Sequence, residues 1–397
     1  MAGVRLAQDL TEQAGGRYAI TIVGEEPVLP YNRIMLSPVL SGDADAATLP
    51  LHPATWFDER GIRLLTGAAA ASVNVEQRLV HLADGRRIGY SKLVFATGSR
   101  ALRLPIPGAG LPGVFVFRTL HDTLKLAALA DGNARIAVIG GGLLGIEAAY
   151  GLAKRGASVT LVHLMDRLME RQLDATAAAM VKTSLERQGI EVLLDAHSER
   201  ILGEGKAEGV RLADGRVLAA DAVIMAAGVK PNAELAQTAG LEVNRGIVVD
   251  DRLKTSVERI FAIGECAEAG GHCCGLVEPA FEQAAVLAKS LAGDANARYV
   301  PAVTATNLKV SGLPVFSAGN FLGGEGTSQI LLRDPGTGLF KKLVTQAGKL
   351  VGAVLVGDTG DAAWYLKLIR EEIPIAPFRT GLAFGEAFCG TPDQIAA

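Results

Sequence analysis

Three observations in this sequence predict an α/β; two Rossmann-like three-layer domains plus a small α+β C-terminal domain. The first is RIAVIGGGLLGIE at residues 135–147, where a β-branched apolar run (136–139) meets a glycine cluster and a small-residue helical run (148–153) follows. The pattern G-x-G-x-x-G falls on Gly140, Gly142 and Gly145. In such a turn the first glycine makes the tight bend, the second lets backbone N–H groups approach a pyrophosphate, and the third lets the helix pack on its strand. A strand before and a helix after make this a dinucleotide site. The second observation is an internal repeat. Val80-His81-Leu82-Ala83-Asp84-Gly85-Arg86 is echoed by Val210-Arg211-Leu212-Ala213-Asp214-Gly215-Arg216. Each ADG turn leads to an apolar strand ending in glycine, at 93–98 and at 223–228, so one nucleotide-binding fold occurs twice. The third is a change of pattern from Tyr299 onward, to short strands (329–333, 340–345, 350–356) and a final helix (361–370), which reads as a separate α+β domain.

Composition bounds the function. A chain of 397 residues, 49% hydrophobic and 20% charged, is long enough for two or three domains with sizeable cores. The net charge of −3 gives no reason to expect nucleic acid or an anionic membrane as partner. The longest apolar stretch, 136–150, is interrupted by Glu147 and rich in glycine, so it does not read as a membrane span. The first residues, with Arg5 close to Met1, carry no apolar signal segment. The cysteines Cys266, Cys273, Cys274 and Cys389 show neither C-x-x-C nor zinc spacing. Free thiols, no metal and a cytoplasmic location are therefore expected.

In chain order, the repeat aligns Gly3 with Gly145 and Leu10 with Leu152. Gly3 is then the third glycine of a first phosphate turn that lacks its strand and first two glycines; either the true start lies upstream of Met1, or the chain is a truncated form expected to retain flavin poorly. The first helix closes by residues 11–16. A strand at 18–23 delivers Glu25 and Glu26 to its carboxyl end, where an acid hydrogen-bonds a ribose. The segment Pro30-Tyr31-Asn32-Arg33-Ile34-Met35-Leu36-Ser37 offers a cation and a hydroxyl to a ligand. In the second copy the matching strand, 158–162, ends at His163, where an NAD-binding fold often carries an acid, with Arg167 close by. This leaves NADH and NADPH both open. Helices are expected at 174–188, 233–239 and 279–291, and strands at 189–194, 246–250 and 260–265. The glycine and acid that end the last strand, Gly264 and Glu265, look like a phosphate or ribitol contact.

On these residues the sequence resembles the FAD-dependent pyridine-nucleotide oxidoreductases. It is most similar to the flavin-binding part of the large subunit of assimilatory NAD(P)H nitrite reductases. The stretches that carry the likeness are MAGVRLA, PYNRIMLSPVL, VFATGSR, VIGGGLLGIEAA, VTLVHLMDRLMERQLD, AAGVKPN, FAIGECAE and TNLKVSGLPVFSAGNF. The resemblance implies FAD contacts from Gly3, Glu25, Arg33, Ala96, Thr97, Gly98, Gly264 and Glu265. It implies NAD(P) contacts from Gly140, Gly142 and Gly145, with Glu147 near the nicotinamide. The wider superfamily has Asp where Glu265 stands, and related ferredoxin reductases carry a lysine near the flavin N5 where this chain has Pro38. The implied domains are 1–107 with 236–300 for FAD, 108–235 for NAD(P)H and 301–397 at the C-terminus.

The resemblance further implies hydride transfer from NADH or NADPH to FAD, with electrons passing on to an iron–sulfur/sirohaem or molybdenum reductase protein in nitrite or nitrate assimilation. The cofactors would carry the chemistry, and no protein nucleophile is needed. The cysteine-rich iron–sulfur and sirohaem regions of the full subunit are not in these 397 residues, so the chain is not expected to reduce nitrite by itself. The lack of a C-x-x-C or C-x4-C pair excludes the disulfide-reductase branch. An NAD(P)H-dependent rubredoxin or ferredoxin reductase is the alternative enzyme, and a flavin-free, non-catalytic subunit is the alternative of another class. The C-terminal domain is expected to serve as a homodimer or partner contact.

Overall fold

The computed structural model describes residues 1–310 and 312–389. The end of the predicted C-terminal domain, 390–397, lies outside the described residues. The chain divides into two compact units. One comprises Met1–Leu36, Ala44–Ala101 and Val229–Ala302; the other comprises Ser37–Asp43, Leu102–Gly228 and Val303–Ala397.

The second unit is built on a five-stranded sheet in the order Glu191–Leu193, Ser158–Val162, Arg135–Ile139, Ala222–Met225, Val114–Val116. Every neighbouring pair is parallel. Parallel sheets are covered on both faces, so their strands read as continuous apolar runs. That is why Ile136, Ala137, Val138 and Ile139 are all buried, as are Ala222, Val223, Ile224 and Met225. The helices Leu120–Ala130, Leu143–Lys154 and Ala175–Arg187 connect these strands. Thr119 and Asp122 form a capping box on the first, and Asp174 caps the third by accepting from the Ala177 N–H. The strand Arg135–Ile139 lies centrally, and the chain leaves it toward one side and returns on the other. This is the topological switch point at which open α/β sheets bind ligands, beyond the carboxyl ends of the strands.

The same unit holds an antiparallel sheet ordered Ala305–Val310, Leu313–Gly319, Lys349–Val356, Leu339–Gln346, Thr327–Asp334. The helix Ala362–Arg370 buries Tyr365, Leu368 and Ile369 among Phe316, Leu343 and Leu355. The strands at 305–310 and 313–319 were not among the expected elements; two of the other three run one to two residues longer at each end, and the last begins one residue earlier. Consecutive lysines in Leu339–Gln346 are buried. Lys341 pairs with Asp358 and Asp361 at 3.1 and 3.2 Å, and Lys342 pairs with Asp174 at 3.2 Å. The second pair ties the antiparallel sheet to the N-terminus of helix Ala175–Arg187.

In the first unit the helix Ala2–Gln13 packs along Val277–Ala292, burying Leu6 and Leu10 beside Ala284, Leu287 and Leu291. Two parallel strand pairs accompany them, Thr21–Val23 with Arg63–Leu65 and Leu93–Phe95 with Ile260–Ala262. The expected strand at 260–265 stops at Ala262. Gly264 takes φ +78° and the chain turns into a short 3-10 segment, Gly264–Cys266. The expected strand at 93–98 likewise stops at Phe95, and Gly98 takes φ +65°.

The internal repeat is structural. Ala70–Asn74, Leu79–Leu82 and Arg87–Gly89 form one three-stranded antiparallel sheet, and Ser198–Leu202, Gly209–Leu212 and Val217–Ala219 form its counterpart in the other unit. In both, the aspartate of the ADG turn accepts from the arginine two residues on, through its backbone N–H at 3.0 Å and Nε at 2.8 Å. Among the described residues, no helix is long and apolar enough to cross a membrane.

Removing one partner of a buried ion pair leaves the other charge uncompensated. Lys342→Met strands Asp174, so urea unfolding should show a loss of about 3 kcal/mol. A loss below about 0.5 kcal/mol would show that the pair contributes no net stability.

Candidate functional site

The glycine turn in the second unit follows the central strand, at its carboxyl end. Gly140 has φ +122°, and a Cβ there would lie 2.4 Å from the Ala226 carbonyl oxygen. A Cβ at Gly145 would lie 1.8 Å from the Gly140 carbonyl oxygen. Both positions must be glycine for helix and strand to approach this closely. Gly142 differs: nothing lies within 4 Å of a Cβ placed there. It is also the N-cap of Leu143–Lys154 and provides no side-chain cap to the first-turn N–H groups. An uncapped helix N-terminus beside a glycine with room above it suits an anion. Gly141, which the motif leaves unspecified, is also constrained: a Cβ would meet His163 and Leu168 at 2.6 Å.

Glu147 lies one turn into the same helix. The Ser37 hydroxyl donates to its Oε2. Burial pushes the Glu147 carboxyl above the usual carboxylate range, and the Ser37 hydrogen bond opposes this. The residue next to Pro38 thus supplies a neutral partner to the acid.

In the first unit two turns and the start of a helix converge. A Cβ on Gly3 would meet the Ala96 Cβ at 3.3 Å, and a Cβ on Gly264 would meet the Ala2 Cβ at 3.2 Å. The start of helix Ala2–Gln13 therefore sits against both the ATG turn (96–98) and the GEC turn (264–266). Arg33, Glu265 and Glu26 all lie near Met1. Ala96 and Thr97 are exposed beside buried Phe95 and Ser99, so the turn presents backbone to an opening. Polar side chains fix the turns: the Ser99 hydroxyl donates to Glu265 Oε2 at 2.7 Å, Thr97 Oγ1 donates to the Asn232 carbonyl at 2.6 Å, and Asn232 Nδ2 donates back to the Thr97 carbonyl at 2.9 Å. Gly264 N–H donates to Gln283 Oε1 at 2.7 Å.

Glu25 is exposed, whereas its neighbour Glu26 is engaged. Tyr31 donates to Glu26 Oε2 at 2.7 Å, Arg33 pairs with Glu26, and the Arg33 guanidinium lies 4.9 Å from the Tyr31 ring centroid. Sequence reasoning missed Ser99, Asn232 and Gln283 as supports of these turns. Ser99 and Asn232 lie within the quoted VFATGSR and AAGVKPN stretches, but Gln283 sits mid-helix without any local signal. The four cysteines are free thiols, and the Cys266 Sγ lies 3.5 and 3.3 Å from the Phe95 and Ile263 carbonyls.

A carboxyl raised by burial destabilises the fold as pH climbs, because the folded chain holds a proton that the unfolded chain has released. Below the ordinary carboxylate pKa the group is neutral in both states, and the penalty grows until the pH exceeds the raised folded value. Glu147→Gln should therefore raise Tm at pH 8 and change it little at pH 4. Equal shifts at both pH values in a thermal melt would contradict this.

Comparison with known proteins agrees with this geometry. Residues 1–287 match the family model described as pyridine nucleotide-disulphide oxidoreductase, and 305–373 match the rubredoxin NAD+ reductase C-terminal domain. A nitrite reductase [NAD(P)H] of Bacillus subtilis is 44% identical over 95% of this chain and 47% of its own. The assimilatory nitrate reductase electron transfer subunit of the same organism is 42% identical over 91% of this chain and 47% of its own. This chain thus spans about half the length of these curated relatives. A ferredoxin reductase crystal structure from Rhodopseudomonas palustris superposes with a TM-score of 0.88 at 30% identity, covering 100% of this chain and 97% of that one. The chain belongs to the pyridine nucleotide-disulphide oxidoreductase family, within its FAD- and NAD(P)H-dependent oxidoreductases.

Proposed function

We propose that this chain takes electrons from NADH or NADPH through FAD and delivers them to an iron–sulfur/sirohaem or molybdenum reductase protein of nitrite or nitrate assimilation. The observation that carries the reading is the turn at 140–145. Two of its glycines are sterically obligatory and the third, Gly142, opens onto space at a helix N-terminus. The choice of acceptor rests on the two Bacillus subtilis relatives, which are more similar to this chain in sequence than the ferredoxin reductase structure is.

The proposed assignments follow the chain. Residues 1–107 with 236–300 hold FAD, 108–235 hold the nicotinamide dinucleotide, and 301–397 form the C-terminal domain. Gly140, Gly142 and Gly145 receive the NAD(P) pyrophosphate, and Glu147 lies toward the nicotinamide. Gly3, Ala96, Thr97 and Gly98 line the FAD, Gly264 and Glu265 hold its ribityl–phosphate part, and Glu25 and Arg33 serve its adenosine and pyrophosphate. The residues present fit the flavin: uncrowded backbone at Ala96 and Thr97 and two left-handed glycines allow close approach, while Ser99 and Gln283 hold the turns still. When bound, FAD supplies the exchange of a hydride for single electrons. The protein's share is orientation and electrostatics. Burial raises the Glu147 carboxyl above the usual carboxylate range, and the neighbour that opposes this is the Ser37 hydroxyl rather than a cation.

A second reading, an NAD(P)H-dependent ferredoxin or rubredoxin reductase, is favoured by the 97% coverage of the ferredoxin reductase structure and the C-terminal domain match. Turnover with a ferredoxin or rubredoxin, against turnover with a sirohaem or molybdenum reductase, separates the two.

The purified chain, incubated with FAD, should show a flavin absorption spectrum that bleaches on adding NADH or NADPH. A folded chain that takes up no FAD and binds no nicotinamide dinucleotide would overturn the proposal. Gly142→Ala should fold with a stability change within about 1 kcal/mol yet weaken dinucleotide binding at least tenfold, because its methyl group occupies the open space.

A further inference from the structure

The loop after strand Ser158–Val162 is strapped to the glycine turn. Gly141 N–H donates to His163 Nδ1 at 2.9 Å, and Met169 N–H donates to the Gly141 carbonyl at 3.0 Å. Leu168 and Met169 are fully buried beneath the turn, and Met169 adopts φ +51° to make the contact. Because Nδ1 accepts, the neutral imidazole carries its proton on Nε2, which donates to Glu170 Oε2 at 3.1 Å. His163 is buried, so it cannot itself face a ligand. Glu170 keeps a quarter of its side chain exposed. Its second oxygen is 3.9 Å from Arg171, whose side chain is 86% exposed. The loop's other cation, Arg167, is already engaged: Nη1 donates to Asp166 at 2.9 Å, and Nε points to the Leu173 carbonyl at 3.4 Å.

We propose that Glu170, held by His163, selects NADH over NADPH. This rests on the reading of the 140–145 turn as the nicotinamide-dinucleotide site. In such folds the adenosine ribose lies at the end of the second strand, where an acid accepts from its 2′-hydroxyl. Here His163 occupies that strand end, and the carboxylate comes instead from the loop, brought to the turn by the Met169 and His163 hydrogen bonds. A carboxylate accepts the hydroxyls of NADH and repels the 2′-phosphate of NADPH. Arg167 is tied to Asp166, and the loop's other arginine, Arg171, lies 3.9 Å from Glu170, so a 2′-phosphate that approaches it meets the carboxylate as well. His163 is a positioning residue, aligning Glu170 while fixing the Gly141 amide.

The test is titration of the full chain with NADH and with NADPH, followed by calorimetry, so that binding is read without turnover. The wild-type chain should bind NADH at least tenfold more tightly than NADPH. Glu170→Gln should lower that ratio at least fivefold, mainly by tightening NADPH, and Glu170→Asp should restore most of it. A purely structural role for Glu170 would weaken both nucleotides together. Arg167→Ala should leave the ratio unchanged. A wild-type chain that binds both alike, a folded Glu170→Gln with an unchanged ratio, or an Arg167→Ala that selectively loses NADPH would each overturn the assignment while leaving the dinucleotide site standing. A chain that binds neither nucleotide would overturn the assignment and the reading of the turn together. A wild-type chain without the NADH preference overturns the assignment even if the Glu170 variants fail to fold.

Discussion

A single steric constraint organises the second unit: strand Arg135–Ile139 and helix Leu143–Lys154 meet too closely for any side chain. A methyl group at 145 would overlap the Gly140 carbonyl, and one at 140 would overlap the Ala226 carbonyl. The approach fixes the helix axis relative to the sheet and places the helix N-terminus at the switch point between the strands flanking Arg135–Ile139. The packing follows from it. Ala148 and Ala149 are buried on the helix with Ile146 and Leu152, and Gly151 lets Leu40 and Ser41 pack close, since a Cβ there would meet them at 3.1 and 3.3 Å. Gly142 makes the distinction between structural and ligand-facing glycines visible, since its missing side chain leaves a space that no protein atom fills.

The two ADG hairpins show how far local chemistry carries. In each, a glycine at φ +86° or +89° closes the turn, and the preceding aspartate fastens it through the arginine two residues on. These ion pairs are half-exposed and contribute little stability. Their value lies in fixing the turn, hence the register of the flanking strands, by interactions spanning only three residues. Such a device is legible in sequence because all of its parts are adjacent. The glycine turn was legible for the same reason, as were the burial of the parallel strands and the order of elements around them.

What was not legible depends on pairings across tens to hundreds of residues. Nothing near Gln283 marks it as the acceptor for the Gly264 amide, and nothing near Ser37 announces Glu147. Chain direction was also underdetermined at the ends of strands. The run 260–265 is apolar to its fifth residue's neighbour and reads as extended, yet it must bend where Gly264 enters the left-handed region. His163 was read as an absent acid, open between NADH and NADPH. The three-dimensional fold supplies the acid that the strand end lacks, seven residues later, because Met169 turns the loop back onto the Gly141 carbonyl.

The consecutive lysines of strand Leu339–Gln346 extend this reasoning to the antiparallel sheet. Successive side chains on a strand point to opposite faces, so Lys341 and Lys342 carry charge into two different environments. One meets Asp358 and Asp361, and the other meets Asp174 at the cap of a helix in the same unit. Apolar side chains replacing lysines and aspartates together would give comparable stability, since desolvation offsets most of the Coulomb attraction of a buried pair. What apolar side chains cannot do is penalise a slip. Moving the strand by one residue would exchange the faces, so that one of the two lysines loses its carboxylate partner and is buried unpaired. The charges therefore fix the register of an otherwise hydrophobic strand, and through Asp174 they fix the sheet's position against helix Ala175–Arg187.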